Sequence, residues 1–319
     1  MIKMTRIFFS ADVHGSELCY RKFVNAGKVY KCDVVILGGD LTGKMIVPII
    51  EQRDGTYYAH YLGEDHILKT EEDVRKFESL VADNGYYTIR VTEEEHEKIS
   101  SDPEKIKELF SKLVIERLEH WINMAEEHLK NTGIRFYMLP GNDDSLEVDE
   151  VIEKSDYVVN PEGKVIELDS YHELISTGYS NITPWNCPRD IPEEELAKKI
   201  EDMIVQVKNI KNCIFNFHCP PYATTLDLAP KLDENLRPKL TPGGDLEYTH
   251  VGSTAVREAI EKYQPLLGLH GHIHESRGVF KIGRTLCINP GSEYAQGVLR
   301  GVIVQLSKGK IKGYLLTSG

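Results

Sequence analysis

The stretch Ile7-Phe8-Phe9-Ser10-Ala11-Asp12-Val13-His14 sets three apolar residues close before an Asp-x-His pair. A short apolar run bounded by polar residues suits a buried strand. Four further runs repeat the arrangement: Val34 to Leu37 before Gly38-Gly39-Asp40, Phe136 to Leu139 before Gly141-Asn142-Asp143-Asp144, Ile214 to Phe217 before His218, and Leu266 to Leu269 before His270-Gly271-His272-Ile273-His274. Open α/β sheets place their sites just beyond the carboxyl ends of strands. Five such ends could bring these polar side chains into one crevice.

Helices are expected between the runs, over residues 16–26, 145–154, 192–208 and 253–263. Pro192 followed by three glutamates makes a good helix start, with acids near the positive end of the dipole. Alternating strands and helices imply an α/β core. Residues 298–306 and 311–316 read as a C-terminal hairpin about Ser307 to Lys310, and 165–168 with 173–177 as a second strand pair. The core therefore mixes parallel and antiparallel strands, in two sheets. Residues 44–131 interrupt the pattern. They carry a hairpin, 56–62 and 66–69 about Gly63-Glu64-Asp65, and helices over 71–81 and 103–130. In the second helix Leu109, Leu113, Leu118, Trp121, Ile122 and Leu129 recur at helical spacing. One domain, 1–319, with an insertion at 44–131 packing mainly on the core, is the expected organisation. The insertion is also a candidate contact for a homo-oligomer.

Of 319 residues, 41% are hydrophobic and 28% charged, which suits a globular chain rather than a disordered one. The net charge of -12 disfavours long nucleic acid and anionic membrane as partners, yet allows a small phosphate ester where metal ions invert the local field. The six cysteines contain no CxxC pair, so reduced thiols in the cytoplasm are expected. No apolar run is long enough for a signal peptide or a membrane span.

Asp12 and His14, two apart, would point to one side in extended backbone, as would His272 and His274. Taken singly, Gly-Gly-Asp and Gly-Asn-Asp are common turns, and His218 reads as a hydrogen-bonded structural histidine. Together the clusters offer carboxylates, imidazoles and an amide oxygen, a mixture that suits borderline divalent metals. GxGxxG, the Walker phosphate loop and GxSxG are all absent, which sets aside nucleotide-binding dehydrogenases and serine hydrolases.

The ordered set resembles the calcineurin-like metallophosphoesterases, whose pattern runs Asp-x-His, Gly-Asp, Gly-Asn-His-(Asp/Glu), His, Gly-His-x-His. The resemblance covers residues 6–43, 136–144 and 213–292. It implies a β-sandwich of mixed sheets flanked by helices. It also implies two divalent ions, with Mn leading and Fe, Zn, Ni and Mg as the other candidates. Asp12, His14 and His274 would hold one ion, and Asn142, His218 and His272 the other. Asp40 would bridge both, and a bridging hydroxide would attack phosphorus in line. Asp40, Asn142 and Asp143 are the candidate catalytic residues. His270 lies outside the motif and is read as structural, and Asp144 as a support for the ligands or their loop.

One position departs from the pattern. Asp143 stands where the family commonly has a histidine near the leaving group. Opposite charge keeps a carboxylate there ionised. It cannot then donate a proton, and it would repel a phosphate dianion. A small monoanionic phosphodiester is therefore the expected substrate. A phosphomonoesterase or protein phosphatase on the same centre is the alternative, and a non-catalytic metal-binding scaffold the remaining one.

Overall fold

A computed structural model describes residues 4–319. Two six-stranded sheets lie face to face. The first runs, in spatial order, Lys310–Ser318, Arg300–Ser307, Thr5–Ser10, Val34–Gly38, Arg135–Leu139 and Val158–Val159. Its last four strands are parallel, and the C-terminal hairpin adds on antiparallel. The second runs Gly278–Ile282, Thr285–Asn289, Leu267–Leu269, Ile214–Phe217, Glu173–Thr177 and Val165–Glu167. Its four central strands are parallel, and both edges are antiparallel.

Ile7, Phe9, Val34, Ile36 and Tyr137 of the first sheet pack against Leu174, Ile214, Leu267, Leu269 and Ile288 of the second. The alternate residues Phe8, Val35, Leu37, Phe136 and Met138 face outward beneath the helices Glu17–Val29, Pro103–Leu129 and Glu147–Glu153. Strands buried on both faces read as continuous apolar runs, which is why the five runs are visible in the sequence. Helices Glu193–Ile204 and Thr254–Tyr263 cover the outer face of the second sheet. The result is the expected sandwich flanked by helices.

Residues 44–131 divide between two environments. The long helix Pro103–Leu129 belongs to the main core. Trp121 is fully buried and stacks flat on Tyr20, with ring centroids 4.1 Å apart. The remainder builds a four-stranded sheet, in order Glu64–Leu68, Tyr57–Tyr61, Ile46–Glu51 and Tyr87–Thr92, with its own apolar cluster under helix Glu71–Asp83. The strands Ile46–Glu51 and Tyr87–Thr92 and the helix Glu93–Ser100 go beyond the sequence reading. Pro48 argues against an interior strand. It is tolerated because Ile46–Glu51 pairs with Tyr57–Tyr61 only at Ile50 and Glu51, leaving Pro48 on an unpaired edge. The hairpin turn also differs. Leu62 and Gly63 form it, with φ of 51° and 82°, while Glu64 and Asp65 already pair in the strand. Two successive positive φ values match the twist of a two-residue hairpin turn.

Among the described residues, no helix is long and apolar enough to cross a membrane, and all six cysteines are free.

Candidate metal centre

The strand register brings the five polar clusters to one end of the sandwich. Ser10 pairs with Leu37, and Gly38 with Leu139, so the first three clusters leave the first sheet side by side. Thr177 pairs with Phe217, and Asn216 with Leu269, which sets His218 and the His270 to His274 loop opposite them. The extended backbone expected at Asp-x-His is not what places these side chains. Asp12, His14, Asp40 and His272 all have left-handed φ, of 57°, 40°, 52° and 67°. Such conformations persist only where surrounding contacts fix them, and they concentrate at functional sites.

Two glycines make room. A Cβ on Gly39, whose φ is 119°, would lie 2.2 Å from His218 Nδ1, and one on Gly141 would lie 2.2 Å from Asp40 Oδ1. No side chain larger than hydrogen fits either position without moving the cluster.

Three overlapping groups result, each with its donor atoms within 4.8 Å of one another: Asp12, His14 and His274; Asp40, His218 and His272; and His14, Asp40 and Asp143. His14 Nε2 and His274 Nε2 face each other at 3.1 Å. Asp40 turns one oxygen to each side, with Oδ2 3.5 Å from His14 Nε2 and Oδ1 3.3 Å from His218 Nε2. Asn142 donates its amide to Asp190 Oδ1 at 3.0 Å, which leaves its own Oδ1 buried and unpartnered. Buried polar atoms without partners are rare, and converging ones fit a cation. Seven of the eight sequence candidates thus fall in these groups, and Asn142, beside Asp143 in the chain, carries the unpartnered amide oxygen.

The supporting shell fixes their orientation. His218 Nδ1 donates to the Gly38 carbonyl at 2.9 Å, which aims Nε2 at the carboxylates. Asp12 accepts from the His272 backbone N–H at 2.9 Å, and the Ser292 hydroxyl donates to the Asp12 carbonyl at 2.6 Å. Asn289 donates to the carbonyls of Ile273 and Gly271, at 2.9 and 3.2 Å, and so holds the two-histidine loop. Tyr294 lies against His14, with centroids 4.7 Å apart. Asp144 accepts from Leu41 N, Thr42 N, the Thr42 hydroxyl and Gly141 N. It therefore ties the Asp40 loop to the Asn142 loop. His270 is structural, as expected, with Nδ1 bonded to the Phe217 carbonyl at 2.8 Å and no place in the three groups.

Asn289, Asp190, Tyr294 and Lys44 were not among the sequence candidates. Asn289 ends an apolar run, Thr285 to Ile288, just before Pro290-Gly291, and that was the available signal. Lys44 carries no local signal. Its ammonium stands 2.8 Å from Asp143 Oδ2, and the same oxygen is 3.9 Å from His14 Nδ1. Asp143 also donates its backbone N–H to Asp40 Oδ1 at 3.1 Å. The repulsive carboxylate expected from the sequence is thus paired with a cation.

Burial decides most of the proton affinities. It brings His14 down to about 3 and His272 down to about 4, so both are neutral and ready to donate a lone pair. At His218 burial pulls the same way, but the Asp40 charge overrides it and pushes the group up to about 10. His274 is raised by Asp12 against burial in the same manner. Burial works to raise Asp40, yet the His218 charge holds it well below the usual carboxylate range.

A metal ligand must be deprotonated, so loading a cation expels these imidazole protons. Proton release near neutral pH is therefore expected on titration with Mn, from His218. Apparent affinity should rise with pH. Calorimetry in two buffers of different ionisation heat measures the release, and identical heats in both would contradict the arrangement.

A family model for calcineurin-like phosphoesterases matches residues 5–276. The uncharacterized protein MJ1162 of Methanocaldococcus jannaschii is 35% identical over 154 residues, which is 48% of this chain and 62% of that protein. The match therefore spans less than two-thirds of that relative. The crystal structure of TT1561 of Thermus thermophilus superposes with a TM-score of 0.51 over 99% of both chains at 12% identity. A second crystal structure does so with a TM-score of 0.58, at 14% identity and the same coverage. At such identities the two structures speak to the fold, and the family model speaks to the chemistry. This chain belongs to the calcineurin-like phosphoesterase family.

Proposed function

We propose that the chain hydrolyses a small phosphodiester at a two-cation centre. Asp12, His14 and His274 would hold one ion, Asn142, His218 and His272 the other, and Asp40 both. The observation that carries this reading is the geometry of Asp40, whose two oxygens face the two histidine groups separately. The imidazole, carboxylate and amide donors make Mn the first metal to test, ahead of Fe, Zn, Ni and Mg.

Two divalent ions supply Lewis acidity, acidifying water and stabilising charge that develops on phosphoryl oxygens. The protein supplies position. Gly38 and Asp190 fix the donor atoms of His218 and Asn142. Tyr294 covers one side of His14. Among the described residues, no histidine occupies the Asp143 position to protonate a poor leaving group, which favours substrates with stable leaving groups. The free cysteines support a reducing compartment such as the cytoplasm.

A phosphomonoester is the second reading, and the Lys44–Asp143 pair is what favours it. Cancelling the Asp143 charge removes most of the repulsion that would exclude a dianion. Bis(p-nitrophenyl) phosphate and p-nitrophenyl phosphate, assayed side by side on Mn-loaded protein, separate the two. A higher kcat/KM on the diester is expected, and a higher one on the monoester would install the second reading instead.

A further inference from the structure

We infer that Lys44 is a specificity-determining residue of this centre: paired with Asp143, it lets a phosphate dianion approach. The inference rests on the phosphoesterase reading above and goes further, by assigning the charge preference of the site to one side chain.

Asp143 belongs to the site by geometry. Its backbone N–H donates to Asp40 Oδ1, and its carboxylate is within ligand reach of His14 and Asp40. Left unpaired, it would be a third carboxylate beside Asp12 and Asp40. Charges packed this closely and only partly screened by water interact more strongly than fully exposed charges do. Lys44 cancels that charge at 2.8 Å. An ammonium has three N–H donors. Pairing with one carboxylate leaves donors for an incoming phosphoryl oxygen, and the Lys44 side chain is half exposed.

The placement of Lys44 is built. Three residues separate it from Asp40, and each of them is anchored. Gly15 N donates to the Leu41 carbonyl at 2.7 Å. Asp144 takes the backbone N–H groups of Leu41 and Thr42. Gly43 N donates to the buried Tyr87 hydroxyl at 2.9 Å. Tyr87 begins the strand Tyr87–Thr92, and Arg117 of the long helix lies 5.2 Å above its ring. The insertion therefore braces the loop that carries Lys44, which gives those residues a role at the site.

The test compares kcat/KM for p-nitrophenyl phosphate, mostly a dianion, and bis(p-nitrophenyl) phosphate, a monoanion. Full-length Mn-loaded wild type, K44M, K44R, D143N and K44M/D143N are the proteins. K44M should lose about tenfold more on the monoester than on the diester, since it exposes the dianion to Asp143. K44R should restore the wild-type ratio, and adding D143N to K44M should restore most of it. Calorimetric affinities for inorganic phosphate and dimethyl phosphate should change in the same ratio, a readout that does not need turnover. Equal losses on both esters, or a selectivity change that D143N does not relieve, would overturn the assignment. Absence of turnover in every protein, with the phosphate-to-dimethyl-phosphate binding ratio still lowered in K44M, would count against the hydrolytic reading and leave Lys44 in its role. A binding ratio unchanged in K44M would remove it.

Discussion

Replacing Asp40 with Asn is expected to lower kcat/KM by at least about 10²–10³-fold, the scale seen when one electrostatic contact to a reacting centre is removed. The protein should stay folded while metal content falls. Asp40 is the side chain that faces both histidine groups, with Oδ2 toward His14 and Oδ1 toward His218. Asn keeps the shape and one carbonyl oxygen. That oxygen can still accept the Asp143 backbone N–H, so the loop need not move. What disappears is a negative charge and one donor oxygen. His218 changes as well. The Asp40 charge is what lifts it to about 10, so in D40N its proton is released more readily and burial favours the neutral ring. Loss of activity in D40N would then reflect the missing bridge rather than a blocked histidine. His14→Ala should behave differently, weakening one ion more than the other, because His14 faces one group and Asp40 faces both. Elemental analysis of metal-loaded, desalted protein distinguishes the two. A D40N protein that retains two ions and near-normal turnover would dismiss the bridging role.

The fold and the centre were legible in the sequence to different depths. The five strand ends could be read because strand, turn and polar side chain are contiguous there, as in Ile7 to His14. Local patterning encodes such features directly. The left-handed backbone at Asp12, His14, Asp40 and His272 could not be read, because these are residues that seldom adopt it. Each is held by a contact from elsewhere in the chain, such as the His272 N–H on the Asp12 carboxylate across 260 positions. Lys44 illustrates the same limit. It meets Asp143 across about a hundred residues, and nothing adjacent to Lys44 announces a partner. Its ion pair also weakens the sequence argument for a diester, which treated Asp143 as an isolated charge. The insertion sheet was read only in part: its hairpin was expected at 56–62 and 66–69, while Ile46–Glu51 was not, and only the tertiary arrangement shows the free edge that tolerates Pro48 there. Asp144 fell between these cases. Its position in Gly-Asn-Asp-Asp suggested a supporting role, but its partners come from the loop after Val34–Gly38, on the neighbouring strand.

Those partners make Asp144 the source of the second large expected effect. Asp144→Ala should destabilise the fold by roughly 3–5 kcal/mol, because unmaking several buried hydrogen bonds at once leaves each donor to bear its desolvation. The carboxylate is fully buried and accepts from three backbone N–H groups and one hydroxyl, at 2.7–2.9 Å. Burial, and then the nearby Asp40 charge, push it up to about 6, so it is kept ionised near neutral pH by those four donors. Asp144→Asn should rescue little. An amide offers one acceptor oxygen where the carboxylate offers two, and its NH₂ would point at N–H groups that cannot accept. Thr42→Ala removes a donor instead of the acceptor and should cost only about 1 kcal/mol. This asymmetry is the diagnostic result: the damage follows the acceptor, not the number of bonds. Activity should fall with D144A even in molecules that remain folded, because Asp144 joins the loop bearing Asp40 to the loop bearing Asn142. Denaturant unfolding combined with kcat/KM on the folded fraction measures both effects. If D144A matched T42A in stability, or kept full turnover, the two loops would have to be held together by the Asp143 N–H bond to Asp40 and the sheet register alone.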